Sequence, residues 1–70
     1  MPVRKAVDLV GEGPSVQEAI EEALDRAGAT LEGITSFTVG QIAGRLDDGG
    51  RLVYKVELRI WFTLLERMHG

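Results

Sequence analysis

The stretch "YKVELRIWF", Tyr54 to Phe62, alternates almost without error. Tyr54, Val56, Leu58, Ile60 and Phe62 are apolar, and Lys55, Glu57 and Arg59 between them are charged. Successive side chains of a strand point to opposite faces, so this pattern predicts a strand with one face in a core. Its second face holds three charges and then Trp61, the only tryptophan of the chain. Any fold must therefore bury one side of this strand and find a use for the other.

The remaining elements follow from local signals. "VRKAVDLVG" predicts a first strand from about Val3 to Val10, ending at Gly11. "GEGPS" reads as a turn. Ser15 and Glu18 have the S-x-x-E spacing of a capping box, in which each side chain meets the other residue's backbone N–H. Glu18, Glu21 and Glu22 in the early turns suit the positive end of a helix dipole. Val16, Ala19, Ile20, Ala23, Ala27 and Leu31 fall on one stripe at helical spacing. Gly33 is the expected C-cap, although Gly28 weakens the last turn. In "ITSFTVGQIAGRL", Phe37 and Val39 share one parity and Ile42 and Leu46 the other. The switch predicts a bulge or sharp bend at Gly40. "DDGG", Asp47 to Gly50, is a hairpin turn. A third strand follows, from about Arg51 to Leu64.

The order is β-α-β-β. A right-handed crossover makes the first two strands parallel, and the hairpin makes the third antiparallel to the second. The third strand most simply lies between the other two. The expected fold is α+β, a three-stranded sheet wrapped around one helix, in a single domain over residues 1–70.

Seventy residues form a small core that usually needs a staple. There are no cysteines, so neither a disulfide nor a thiolate metal site supplies one. His69, the lone histidine, reads as a solvated tail residue. One helix covers one face of the sheet and leaves Lys55, Glu57, Arg59 and Trp61 bare. Open sheet edges and a large aromatic on an open face invite association. The expected partner is another copy of the same chain. The net charge of −3 and the scattered basic residues argue against nucleic acid. No run is apolar for long enough to span a bilayer, and the N-terminus lacks a signal-peptide pattern, so no membrane partner and a cytoplasmic location are expected. Catalysis has no support: no cysteine, no histidine in a plausible site and no phosphate-cradling glycine loop.

With "KAVDLVG" leading into the capped helix, "ALDRAGATLEGI" across its end and "RLVYKVELRIWFTL" as the last strand, the chain resembles the dodecin family over nearly its whole length. The resemblance implies a hollow homododecamer. It also implies paired flavins, riboflavin or flavin mononucleotide (FMN), stacked between tryptophans of two-fold-related subunits. The family tryptophan lies at the start of the second strand, in a pattern like D-W-F-E-V. Here the stretch is "TSFTV", with Ser36 in its place. The family glutamine that hydrogen-bonds the flavin follows an aromatic on the third strand; here "YKV" puts Lys55 there. The arginine of "IRG" is Ala43 and that of "GFRL" is Thr63. The small residue before that phenylalanine is Trp61. The ligand-contacting positions have changed and the core positions have not.

The ligand-binding candidates are therefore Ser36, Lys55, Trp61 and Arg45. Trp61 would be a stacking platform, or else an interface residue, since tryptophan buries much area in interfaces. Lys55 and Arg45 are the cations available to a carbonyl or a coenzyme-like anion. Flavin binding should be degraded, because Ser36 has no aromatic face. Asp47 and Asp48, with Glu57, are the candidate calcium ligands, as a hard cation wants several oxygens. The resemblance adds weight, since some dodecin-like proteins without the tryptophan bind calcium. The plainer reading of "DDGG" is a turn. Glu57 and Arg59 read as members of cross-strand or cross-subunit ion pairs.

Overall fold

The computed structural model describes residues 2–65. The chain runs β1 (Pro2–Gly13), α1 (Val16–Gly28), β2 (Ile34–Leu46) and β3 (Leu52–Leu65). β3 is the central strand and pairs antiparallel with both neighbours. β1 and β2 thus run in the same direction on opposite edges, as the β-α-β-β order requires. No helix among the described residues is long and apolar enough to cross a membrane. His69 lies outside the described residues.

β1 is longer than expected. Gly11 and Gly13 are strand residues, opposite Val56 and Tyr54 of β3, and not part of a turn. The physical reason is the helix that packs against them. A Cβ on Gly11 would stand 1.9 Å from the Ala19 carbonyl oxygen, and one on Gly13 would stand 2.8 Å from the Ala19 nitrogen. Only glycine lets strand and helix approach this closely.

Ser15 caps α1 in an extended conformation, and its Oγ accepts from the Glu18 N–H at 3.1 Å. The second half of the capping box differs from expectation. The Ser15 hydroxyl donates to the Glu18 carboxylate at 2.9 Å, so one residue pair serves as both cap and hydrogen bond. The helix also ends earlier, at Gly28, with Ala29 as its cap. Gly33 instead adopts φ +72° in the following loop. Its carbonyl there accepts from the Thr63 N–H at 3.0 Å. Leu31 falls outside the helix but still packs on the core.

The core is thin. Ala19, Ala23 and Ala27 of α1 lie on Val56, Leu58 and Ile60 of β3, with Val7, Leu9, Val16, Ile20, Leu24, Leu31 and Ile34 around them. The alanines allow close contact, but α1 packs mainly on β1 and β3. The helix-side residues of β2 remain exposed: Phe37, Val39, Ile42 and Leu46, with Leu52 beside them. The register shift between Val39 and Ile42 is the expected irregularity around Gly40. It returns Ile42 to the same face as Phe37 and Val39, opposite Val56. The result is a continuous apolar stripe that one chain leaves uncovered. The radius of gyration, 15.1 Å, is also well above the roughly 11 Å of a compact chain of this length.

The outer edge of β1 is protected by the helix. Glu22 accepts from the Glu12 N–H at 3.0 Å, and Arg26, paired with Glu22, donates to the Val10 carbonyl. Filling backbone groups of an edge strand removes a template for unwanted pairing.

Candidate functional site

The open face of the sheet is built from the residues opposite in parity to the core. β1 contributes Arg4, Ala6, Asp8, Val10 and Glu12. β3 contributes Lys55, Glu57, Arg59 and Trp61. β2 contributes Ser36 and Thr38 before the bulge, and Ala43 and Arg45 after it. Strand register sorts them into rows. Ala6, Trp61 and Ser36 form one row, and Asp8, Arg59 and Thr38 the next. Glu12, Lys55 and Ala43 form a third, nearer the hairpin.

Trp61 and Ser36 are thus direct cross-strand partners. Thr35, the extra residue of an irregularity between Ile34 and Ser36, turns its hydroxyl to the Trp61 carbonyl at 3.4 Å. The Arg4 guanidinium carbon lies 4.6 Å from the centre of the indole. An Arg4 nitrogen is 3.5 Å from Ser36 Oγ.

In the middle rows, Arg59 donates to both carboxylate oxygens of Asp8, at 2.9 and 3.2 Å. These hydrogen bonds hold the Asp8 carboxyl below the usual carboxylate range and push the Arg59 guanidinium further up. Both side chains are largely exposed, so the pair orders the face more than it stabilises the fold. Glu57 makes no ion pair among the described residues. Beside this pair a groove of about 480 Å³ is lined by Asp8, Leu9, Val10, Thr38, Val39, Gly40, Glu57, Leu58 and Arg59. That volume is within the range of small-molecule sites.

At the hairpin end, Arg45 reaches over β3 to Glu12 at 3.1 Å. Lys55 has no carboxylate at ion-pair distance among the described residues. A smaller hollow of about 140 Å³ lies among Ala43, Gly44, Arg45, Val53 and Lys55.

The four ligand candidates therefore fall into two groups. Ser36 and Trp61 meet at one end of the face, and Lys55 and Arg45 at the other. Trp61 lies six positions along β3 from Lys55, about 20 Å. Within one chain they do not line one pocket. The carboxylates do not converge either. Asp47 Oδ1 accepts from the N–H groups of Gly49 and Arg51, each at 2.9 Å, which makes it the organiser of the turn. Glu57 lies about five residues further along β3, some 17 Å away. Among the described residues, no three acidic or histidine side chains come together as a metal site would need. The sequence reading missed Arg4, Asp8 and Glu12. Their shared parity in "VRKAVDLVGEG" was the available signal.

The Dodecin family profile matches residues 3–65. The chain belongs to the dodecin family. It is 38% identical over 65 residues to the dodecin of Thermus thermophilus, covering 91% of this chain and 94% of that protein. A crystal structure of a T. thermophilus dodecin variant superposes with a TM-score of 0.84 at 39% identity, over 94% of this chain and all (100%) of that one. The dodecin of Streptomyces davaonensis gives 0.83 at 32% identity, over 93% and 97%. The calcium dodecin of Mycobacterium tuberculosis, described as calcium-chelating with a novel calcium-binding site, gives 0.77 at 26% identity, over 97% and 99%.

Ser36 on β2 and Trp61 on β3 lie directly across the ladder from each other, both on the open face.

Proposed function

We propose that this protein is a dodecin-type binding module: a closed homo-oligomer, with twelve copies as the expected number, that holds a small planar ligand on its open sheet faces. Flavin is the default ligand, with a weakened site. Binding and storage, and not catalysis, are the proposed activity. The observation that carries this reading is Trp61, an aromatic ring on the open face directly across the ladder from Ser36, the position to which the resemblance assigns the family tryptophan. In this reading the Trp61 face is the platform. The second face of a sandwich comes from a two-fold-related copy, and Lys55 of one copy serves a site at Trp61 only across such an interface.

Self-association is supported by the chain's own surface. The stripe from Phe37 to Leu46 needs a cover, and α1 does not reach it. Apolar surface of this kind is removed from water most simply by a second copy. The alternative reading is cation binding, supported by the likeness to the M. tuberculosis calcium dodecin. Asp47 is already engaged by the turn, so a site using Asp47, Asp48 and Glu57 would draw on more than one copy.

The test is sedimentation velocity with riboflavin present, followed at 280 nm and in the blue. The expected result is one species near twelve times the 7.6 kDa chain mass, with colour moving alongside it. A stable monomer would contradict the assembly. A large but colourless species that binds calcium would favour the alternative.

A further inference from the structure

The Trp61 end of the open face carries a cation with an unusual environment. Among the described residues, three arginines hold carboxylates: Arg26 with Glu22, Arg45 with Glu12 and Arg59 with Asp8. Arg4 has no carboxylate at ion-pair distance among the described residues. It lies instead over the indole of Trp61, 4.6 Å from the ring centre, with Ser36 Oγ 3.5 Å from one nitrogen. The row itself is roomy. Ala6 on one side and Ser36 on the other are small, so neither crowds the ring. The nearest acidic group in the adjoining row, Asp8, is neutralised by its two hydrogen bonds from Arg59.

We propose that Arg4 makes this site selective for planar rings that carry a negative charge. The inference rests on Trp61 being the ring platform of the proposed function, and it names the ligand class. In the empty protein the guanidinium covers part of the indole through a cation–π contact. Any ring that stacks on that face of Trp61 displaces it. A neutral ring offers the guanidinium nothing in return. A ring bearing a phosphate or carboxylate offers a new partner, because the planar fork of N–H donors fits either group in pairs. Arg4 has a long side chain rooted on β1, so it moves from ring to anion by rotation about its own bonds, with the sheet unchanged. Displacing the cover weakens every ligand, and only an anion recovers the loss. Specificity here is a difference between two affinities, set by one residue that touches the ligand only when the ligand is charged.

Riboflavin and FMN carry the same ring and differ by a phosphate, so they form the two arms of the test. Each is titrated into the assembled protein at low ionic strength, and quenching of the flavin emission gives the affinity. FMN should bind about fivefold more tightly than riboflavin, the scale of one exposed ion pair. High salt should erase the difference by screening. In Arg4→Gln the two flavins should bind alike, and riboflavin should bind at least as well as before, since the cover is gone. Equal affinities in the unmodified protein would overturn the role of Arg4 while leaving the platform intact. A preference for FMN that survives in Arg4→Gln would do the same. Failure of both flavins to bind would overturn the platform and the inference together.

Discussion

Gly11 of β1 lies against Ala19 of α1 so closely that a methyl group on Gly11 would stand 1.9 Å from the Ala19 carbonyl oxygen and 2.9 Å from the Ala23 methyl. The contact sets the distance between helix and sheet. Gly11→Ala is therefore expected to destabilise the protein by about 2–3 kcal/mol, or to prevent folding, through overpacking. Gly28 has open space around it, so Gly28→Ala should be neutral or slightly stabilising. Denaturant midpoints of the two variants at equal protein concentration check the contrast. A Gly11→Ala protein as stable as the parent would show that the helix can retreat freely.

Ser15→Ala removes the hydroxyl that accepts from Glu18 N–H and donates to the Glu18 carboxylate. The expected loss is about 1 kcal/mol. Unfolding and dissociation are linked in an oligomer, so midpoints are compared at two concentrations. An unchanged midpoint at both would remove the cap from the account.

Ile42 is 48% exposed on the stripe that α1 fails to cover. Ile42→Asp should dissociate the assembly, because a buried interface without a partner for the charge is unfavourable. Sedimentation should show smaller species, with the strand signal in circular dichroism largely kept. An intact assembly would mean that the stripe lies outside the contacts between copies.

Acid should weaken the fold in a definite window. Asp8 is held below the usual carboxylate range by its hydrogen bond from Arg59, and Glu22 by the Glu12 N–H and then by Arg26. For a depressed carboxyl, the stabilisation is complete above the unfolded value, about 4, and disappears as pH falls through the folded value. Stability contributed by these groups should be flat from neutral pH to about 5 and fall below about 4. Arg59, pushed further up by Asp8, stays charged throughout this range, and its contribution is lost only in strong alkali, outside this window. Asp8→Asn should flatten part of the acid-side fall in urea midpoints. An identical acid profile in the variant would deny Asp8 that role.

Much of the fold was legible because single residues carry it. The alternation from Tyr54 to Phe62 identified β3 and its buried face. The alanine stripe identified the packed side of α1, and the parity switch at Gly40 located the bulge. The helix end was missed because Gly33 looks like a cap, while the chain uses it for a tight contact with β3. That α1 covers mainly two strands was not legible, since it depends on where the Gly11 contact seats the helix. The site was half legible. Parity put Lys55 and Trp61 on one face, and the register sets Ser36 across from Trp61 on that face. Their separation into two groups is a matter of register, and counting back from the "DDGG" turn already sets Lys55 opposite Ala43 and leaves Ser36 near Trp61.

The central claim is that Trp61, from the central strand, supplies the ring platform on the open face. Quenching of riboflavin emission by the unmodified protein and by Trp61→Leu tests it most directly, with sedimentation confirming that both are assembled. The account predicts micromolar or weaker binding by the unmodified protein, since Ser36 offers no aromatic face where the resemblance puts the family tryptophan, and loss of binding in Trp61→Leu. Equal binding by the two proteins, or none by the unmodified one, would contradict it.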